Sequence, residues 1–241
     1  MKNLNKIENF VMQPEDTFEF GCGACGGCCR NQDEKDNMVS GMDIFRIAKT
    51  MGCTTEEVIK KYMTVGVGNG TKLPVVYLRV RDDKSCIFLR KGKCMVHDTK
   101  PIKCAIFPLG RAIADDGNKQ SMMYFKSGYK CKCGVKKESQ TLQEWLNEMH
   151  VSELDSMSYA WNKLMKTALR VMNGVYDDEL FLATLFELYI NFDITQPYEV
   201  QVNKNIETLN SVFVLKKKCP KHESLTSYIE KNYLSGGCLN N

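Results

Sequence analysis

At 241 residues, with 43 % hydrophobic and 26 % charged residues, the chain can bury a core as one large domain or two small ones. Its 12 cysteines are several times the usual share, yet too sparse for a disulfide-packed secreted miniprotein, which is thereby excluded. The formal charge of +4 conceals an asymmetry, because residues 84–137 carry 13 Lys and Arg against 3 Asp and the remainder sums to −6. That basic stretch also holds Cys86, Cys94, Cys104, Cys131 and Cys133. Bound thiolates are therefore its expected counter-charge, and with few base-stacking aromatics in it (Phe107, Tyr124, Phe125, Tyr129) nucleic-acid binding is not expected.

The first twenty residues are polar and mixed in charge, without the run of about seven to fifteen apolar residues that a secretory signal needs. No stretch reaches the roughly eighteen apolar residues of a membrane span, and Glu187 interrupts the most apolar run, Phe181 to Ile190. A cytoplasmic, reducing location follows, with no membrane contact. Clustered thiols there hold metal or do redox chemistry more often than they form structural disulfides.

In chain order, Ser40 with Asp43 three residues later caps a helix carrying Ile44, Ile47, Ala48 and Met51, and Gly52 stops it. Thr54 and Glu57 form a second capping box. Leu73 to Val80 is rich in β-branched and aromatic residues and reads as a strand, while Cys86 to His97 reads as a hairpin around Gly92 that brings Cys86 and Cys94 together. Asp98 to Pro101 starts a short helix holding Cys104 and ending by Pro108. Thr141 and Glu144 cap a helix with Leu142, Trp145, Leu146 and Met149 at helical spacing, and a second helix carries Leu154 to Ala168 and ends near Gly174. Leu180 to Ile190 is the expected buried helix. Two weaker helices, about 203–216 and 224–234, complete a small bundle.

The chemistry concentrates in Cys22-Gly-Ala-Cys25-Gly-Gly-Cys28-Cys29. Three cysteines spaced by two residues, with glycines between them, let the backbone coil round one centre, and a cubane iron–sulfur cluster uses this spacing with a fourth, distant cysteine. Neighbouring side chains diverge, so the adjacent Cys28 and Cys29 point to two centres. Eight ligands serve two four-cysteine sites: Cys22, Cys25, Cys28, Cys29, Cys86, Cys94, Cys104, and one of Cys131 and Cys133. Zinc accepts four thiolates as readily as iron, but its usual two separate CxxC pairs are absent. A 4Fe-4S cluster is thus the first expectation and zinc the second.

At these residues the chain resembles the CxxCxxCC cysteine-cluster family (YkgJ-type), named for zinc or iron chelation. The match covers Phe20 to Arg30, Cys86 to Leu89, Gly92 to Cys94, and the Pro-x-x-Cys-x-x-Phe-Pro element from Pro101 to Pro108. Where many members carry Arg-Pro and Cys-Arg this chain has Lys100-Pro101 and Cys104-Ala105, and His97 stands where a Tyr is frequent. The resemblance also implies a kinship with flagellin lysine N-methylases, and through them S-adenosylmethionine as a cofactor and a protein substrate. Gly66 to Gly70, however, reads as a turn between a helix and a strand, the reverse of a nucleotide-binding strand–loop–helix.

His97 lies three residues after Cys94, a ligand spacing that a hydrogen-bonding histidine at a hairpin end explains as well. His150 and His222 read as solvated helix ends, Cys53 as a structural thiol, and Cys219 and Cys238 as tail residues away from the motif. The expectation is an α+β protein: residues 1–137 form an irregular metal-organised cysteine domain with a short hairpin, packed against a helical domain of residues 138–241. Its function is metal binding with a redox or substrate-activating role. The alternatives are S-adenosylmethionine-dependent lysine methyl transfer, and a non-catalytic zinc module that docks a protein partner.

Overall fold

The computed structural model describes residues 11–115, 119–126 and 139–218. The strands are β1 (Val11–Met12), β2 (Thr17–Glu19), β3 (Met38–Val39), β4 (Met63–Val67), β5 (Pro74–Leu78), β6 (Leu89–Arg90), β7 (Lys93–Cys94), β8 (Leu109–Asp115), β9 (Gln120–Lys126) and β10 (Ser139–Thr141). The helices are α1 (Gly41–Met51), α2 (Thr55–Tyr62), α3 (Ile102–Ala105), α4 (Leu142–Glu148), α5 (Asp155–Met172), α6 (Asp178–Leu185) and α7 (Tyr198–Lys218), with a π-helical turn at Phe186–Ile190. The protein is α+β, with small antiparallel sheets among its helices. No helix among the described residues is long and apolar enough to cross a membrane.

The chain divides into two compact units, one drawn from Met1–Val39 and Leu78–Tyr159, the other from Ser40–Tyr77 and Ala160–Asn241. The first unit is built from short pieces. β8 and β9 form a seven-pair antiparallel ladder that β1 extends at one edge, and β10 pairs β2. Helix α4 starts where the sequence places it, with the Thr141 hydroxyl accepting from the Glu144 amide and the Glu144 carboxylate accepting from the Thr141 amide. Its Trp145 is fully buried, edge-on to Phe20 at 5.2 Å and to Phe18 at 6.4 Å. An edge-to-face contact places the positive ring edge against the negative ring face, which locks these aromatics in one arrangement.

The second unit is mainly helical. Both expected capping boxes are present, Ser40 with Asp43 and Thr54 with Glu57, and Gly52 ends α1 in the left-handed region. β4 and β5 are hydrogen-bonded neighbours, with Gly66 inside β4 and Gly68 to Lys72 in the loop between them, so the glycine-rich stretch joins strand to strand where a helix was expected before it. The buried run splits where Glu187 falls: α6 gives way to the π-turn, and the nearly inaccessible Glu187 side chain accepts a 2.9 Å bond from Asn191. Phe45, Phe192 and Tyr198 form an aromatic cluster with centroids 4.9 to 6.2 Å apart. α7 begins at Tyr198, earlier than its periodicity implied, and the expected helix at 224–234 lies outside the described residues.

Gly41 opens α1 against the π-turn, and a Cβ there would meet the Leu188 carbonyl oxygen at 2.0 Å and the Trp161 ring at 2.6 Å. An exposed helical Gly→Ala change is stabilising through backbone entropy. Gly41→Ala should instead destabilise the protein by about 2 kcal/mol or more, since a backbone oxygen cannot move aside as a side chain can. The midpoint of urea unfolding measures it.

Candidate metal centre

The CxxCxxCC segment forms an irregular coil ending in a single 3-10 turn, Gly27–Cys29. Gly26, with φ of 67°, turns the coil against the β6–β7 hairpin so closely that a Cβ would strike the Gly92 carbonyl oxygen and the Leu89 side chain, each at 2.7 Å. The hairpin turn itself has Lys91 and Gly92 at φ of 46° and 76°, as a two-residue type I′ turn requires. Register puts Cys94 opposite Leu89. Cys86 lies just before the hairpin, bridged to Val80, and its amide donates to the Cys29 carbonyl at 2.8 Å. The helix bearing Cys104 is the single turn α3, entered at Pro101.

Two polar anchors that periodicity does not reveal hold these loops. The Arg81 guanidinium donates to the Cys86 and Ile87 carbonyls and to the Ser85 hydroxyl. Gln32 donates through its side chain to the Cys28 and Arg30 carbonyls and through its amide to the Lys84 carbonyl. Both act on backbone oxygens, so they fix cysteine positions without touching sulfur. An arginine five residues before a motif cysteine, and a glutamine three after the cluster, are weak signals in sequence.

The result is a recess, open to solvent, with seven cysteines on its wall: Cys22, Cys25, Cys28, Cys29, Cys86, Cys94 and Cys104. All are free thiols. Phe20, Phe88, Val96, Phe107 and Trp145 supply an apolar and aromatic lining, and His97 and Lys100 add two basic groups. Cys131 and Cys133, expected to supply one further ligand, lie outside the described residues, as do His222, Cys219 and Cys238. Cys53 belongs to the second unit, next to Gly52 at the α1 terminus, and does not line the recess, while His150 is exposed, 3.1 Å from Glu153. His97 is drawn into the site, with Nε2 3.7 Å from Cys22 Sγ.

The sulfurs interact electrically. Cys28 and Cys29 Sγ are 3.9 Å apart. The hydrogen bond from Cys29 draws the Cys28 thiol down to about 6, helped by the Lys100 ammonium and opposed by burial, while the same bond and burial push Cys29 well above its ordinary range. The pair thus loses its first proton easily and holds its second, which lies between the two sulfurs. Burial raises Cys86 and Cys94. Nearby thiolates raise them further, so this group gives up its remaining protons most readily to a cation.

Soft thiolates in an apolar setting suit zinc or iron–sulfur groups. Among the described residues no group of three or more Cys, His, Asp or Glu is drawn tightly enough to be a ready single-ion site. The thiols surround a volume instead. The model of the CxxCxxCC family, described as "Putative zinc- or iron-chelating domain", matches residues 21–149. That span contains all seven recess cysteines. No curated protein and no solved structure matches the chain.

In metal-free, reduced protein, Cys28 should be alkylated by iodoacetamide ahead of the other described cysteines, with its rate rising through pH 6 as the thiolate forms. Cys29→Ala removes the bond that holds this pKa down. The rate midpoint should then move up toward the ordinary thiol value of about 8.5, as read by mass spectrometry across a pH series.

Proposed function

The chain belongs to the CxxCxxCC family of zinc- or iron-chelating domains, and from that premise we propose that its recess holds iron–sulfur, of the 4Fe-4S kind, in a redox or substrate-activating role. The ligands are drawn from Cys22, Cys25, Cys28, Cys29, Cys86, Cys94 and Cys104, with Cys131 or Cys133 as a further candidate. The observation that carries this reading is the encirclement of one apolar recess by seven thiols. A single ion sits at about 2.3 Å from each sulfur and needs its ligands nearly in contact. Thiols spread over the wall of one recess, with no three donors drawn together among the described residues, are better matched to a larger inorganic core.

The surroundings favour the same group. Aromatic walls lower the local dielectric and limit water, two of the features by which proteins set a cluster's potential. Lys100, nearly buried at 8 % exposure, offsets part of the negative charge that four thiolates confer. As a lysine it supplies that charge without arginine's planar fork. When bound, such a cluster supplies one-electron transfer or a Lewis-acidic iron. The protein's part is to hold the thiolates, orient them through Arg81 and Gln32, and exclude water. S-adenosylmethionine chemistry has no counterpart in the described residues beyond the shared cysteine pattern.

Anaerobic purification should yield brown protein with iron and acid-labile sulfide in equal amounts, and visible absorption that dithionite bleaches. Colourless protein holding zinc alone would remove the iron form of this reading. Cys86→Ser and Cys25→Ser should each lower metal content. Stripping the metal should destabilise the first unit by an amount on the order of 10 kcal/mol, the scale of a structural metal site. Hydrogen exchange should show that loss at Cys86 to Cys104 and leave α1 and α7 protected.

A further inference from the structure

The positive charge that the sequence concentrates in residues 84–137 is only partly taken up inside the recess. Lys100 is buried there, whereas Arg90, Lys91 and Lys93 are exposed on the β6–β7 hairpin. We propose that this hairpin docks an acidic protein that carries single electrons, and that the carrier exchanges them with the group in the recess across the exposed Cys25 and Cys28. The inference rests on the redox reading above and names the partner which that reading needs.

Three positive charges within four residues are held on a fixed support. Arg90 and Lys93 are the last pair of the β6–β7 ladder, directly opposite one another, and Lys91 stands between them in a left-handed turn position. Like charges directly opposite in a ladder destabilise it. No acidic residue lies between Lys84 and His97 to relieve them, and none of the three makes an ion pair among the described residues. The nearest carboxylates along the chain are placed elsewhere: Asp83 accepts from the Ser85 amide and feels the charges of Arg81 and Arg30, and Asp98 lies 3.6 Å from His97 Nδ1. A local rule broken without local compensation marks functional surface.

The hairpin turn is also the surface beside the sulfurs. Gly26 packs on it so closely that a Cβ would lie 2.7 Å from the Gly92 carbonyl oxygen, and Gly26 sits in the chain between Cys25 and Cys28, both exposed on the recess wall. The exposed Gly23, Ala24 and Gly27 around them carry nothing longer than a methyl group. A partner steered to the hairpin therefore comes close to the sulfurs, with no long side chain of that segment to hold it off. Exposed Met95 adds an apolar contact beside Cys94, and exposed Lys103 a further cation beside Cys104. A small contact with complementary charge suits a transient electron-transfer complex, because charge speeds encounter and small area allows release. No aromatic side chain of residues 21–31 or 84–105 is exposed for base stacking, which favours a protein over a nucleic acid. One electron passes at each encounter, the carrier being oxidised as the group is reduced or the reverse, and no bond forms or breaks.

The test is stopped-flow oxidation of the full-length, metal-loaded, dithionite-reduced protein by two acceptors of opposite charge, acidic plastocyanin and basic cytochrome c. With plastocyanin the second-order rate constant should fall about tenfold or more between low salt and about 0.3 M NaCl, and by as much at low salt in Arg90→Glu/Lys91→Asp/Lys93→Glu. With cytochrome c that variant should react faster than the wild type. The neutral Arg90→Gln/Lys91→Asn/Lys93→Gln should lie between, and both hairpin variants should keep the wild-type metal content and the wild-type rate with uncharged benzoquinone. Lys49→Glu/Lys163→Glu/Lys204→Glu, which changes the net charge equally on the second unit, should keep the plastocyanin rate within about twofold. A plastocyanin rate indifferent to salt, one that the second-unit variant lowers as much, or loss of metal from both hairpin variants overturns the inference and leaves the redox reading in place. So does poly(U) bound at 0.15 M NaCl by the wild type and released by the hairpin variants, which would assign the hairpin to nucleic acid. Protein that none of the three acceptors oxidises overturns the redox reading and the docking together.

Discussion

Repulsion among closely spaced thiolates governs the first unit. Two unit charges about 4 Å apart repel by about 4 kcal/mol at an effective dielectric near 20, and Cys28 and Cys29 are at that separation within a group of seven. Without a cation the chain can relieve this only by keeping protons, as Cys29 does for Cys28. A metal core offsets much of the repulsion with positive charge placed between the sulfurs. The wall of the recess is therefore an arrangement whose lowest free energy includes a cation, and the short, irregular elements around it need contribute little cooperativity of their own.

That dependence explains the contrast between the units. The second unit has long helices, two capping boxes and a buried aromatic cluster, and it stands on ordinary burial of apolar surface. In the first unit the cysteine-bearing elements are strands of two residues, a single helical turn and a 3-10 turn. Elements this short do not hold themselves in water. Arg81 and Gln32 compensate locally by bonding carbonyl oxygens of the ligand loops, and the Phe18–Phe20–Trp145 cluster gives the recess one solid side.

What the sequence made legible follows from where each signal resides. The capping boxes at Ser40, Thr54 and Thr141, and the stop at Gly52, are written within four residues and do not depend on distant partners. The cysteine spacing and the Pro101 to Pro108 element were equally local, and they located seven donors that the fold gathers. β1, β2 and β10 were not visible, because strands of two or three residues in polar surroundings have no periodicity to detect. Arg81 was missed because, the Ser85 hydroxyl apart, its partners are backbone oxygens that any residue offers. Glu187 looked like a break in an apolar run, but with Asn191 to satisfy it the carboxylate sits inside the π-turn. His97 was ambiguous in one dimension. Its proximity to Cys22, 75 positions away, exists only in the fold.

The cysteine wall is assembled from two stretches of chain that are far apart in sequence, and backbone bonds within the first unit join them: the Cys86 amide to the Cys29 carbonyl, the Gln32 amide to the Lys84 carbonyl, and the Leu78 amide to the Asn37 carbonyl. The intervening residues 40–77 leave and return at the same place. Closing a loop costs entropy only as the logarithm of its length, about 0.6 kcal/mol for each doubling. The closure term thus depends only weakly on the length of the segment between the two stretches, and what fixes that segment as it stands is the packing of α1 and α2 within the second unit. The two stretches that carry the cysteines are thereby joined from within the first unit itself, by backbone bonds rather than by the chain that runs between them.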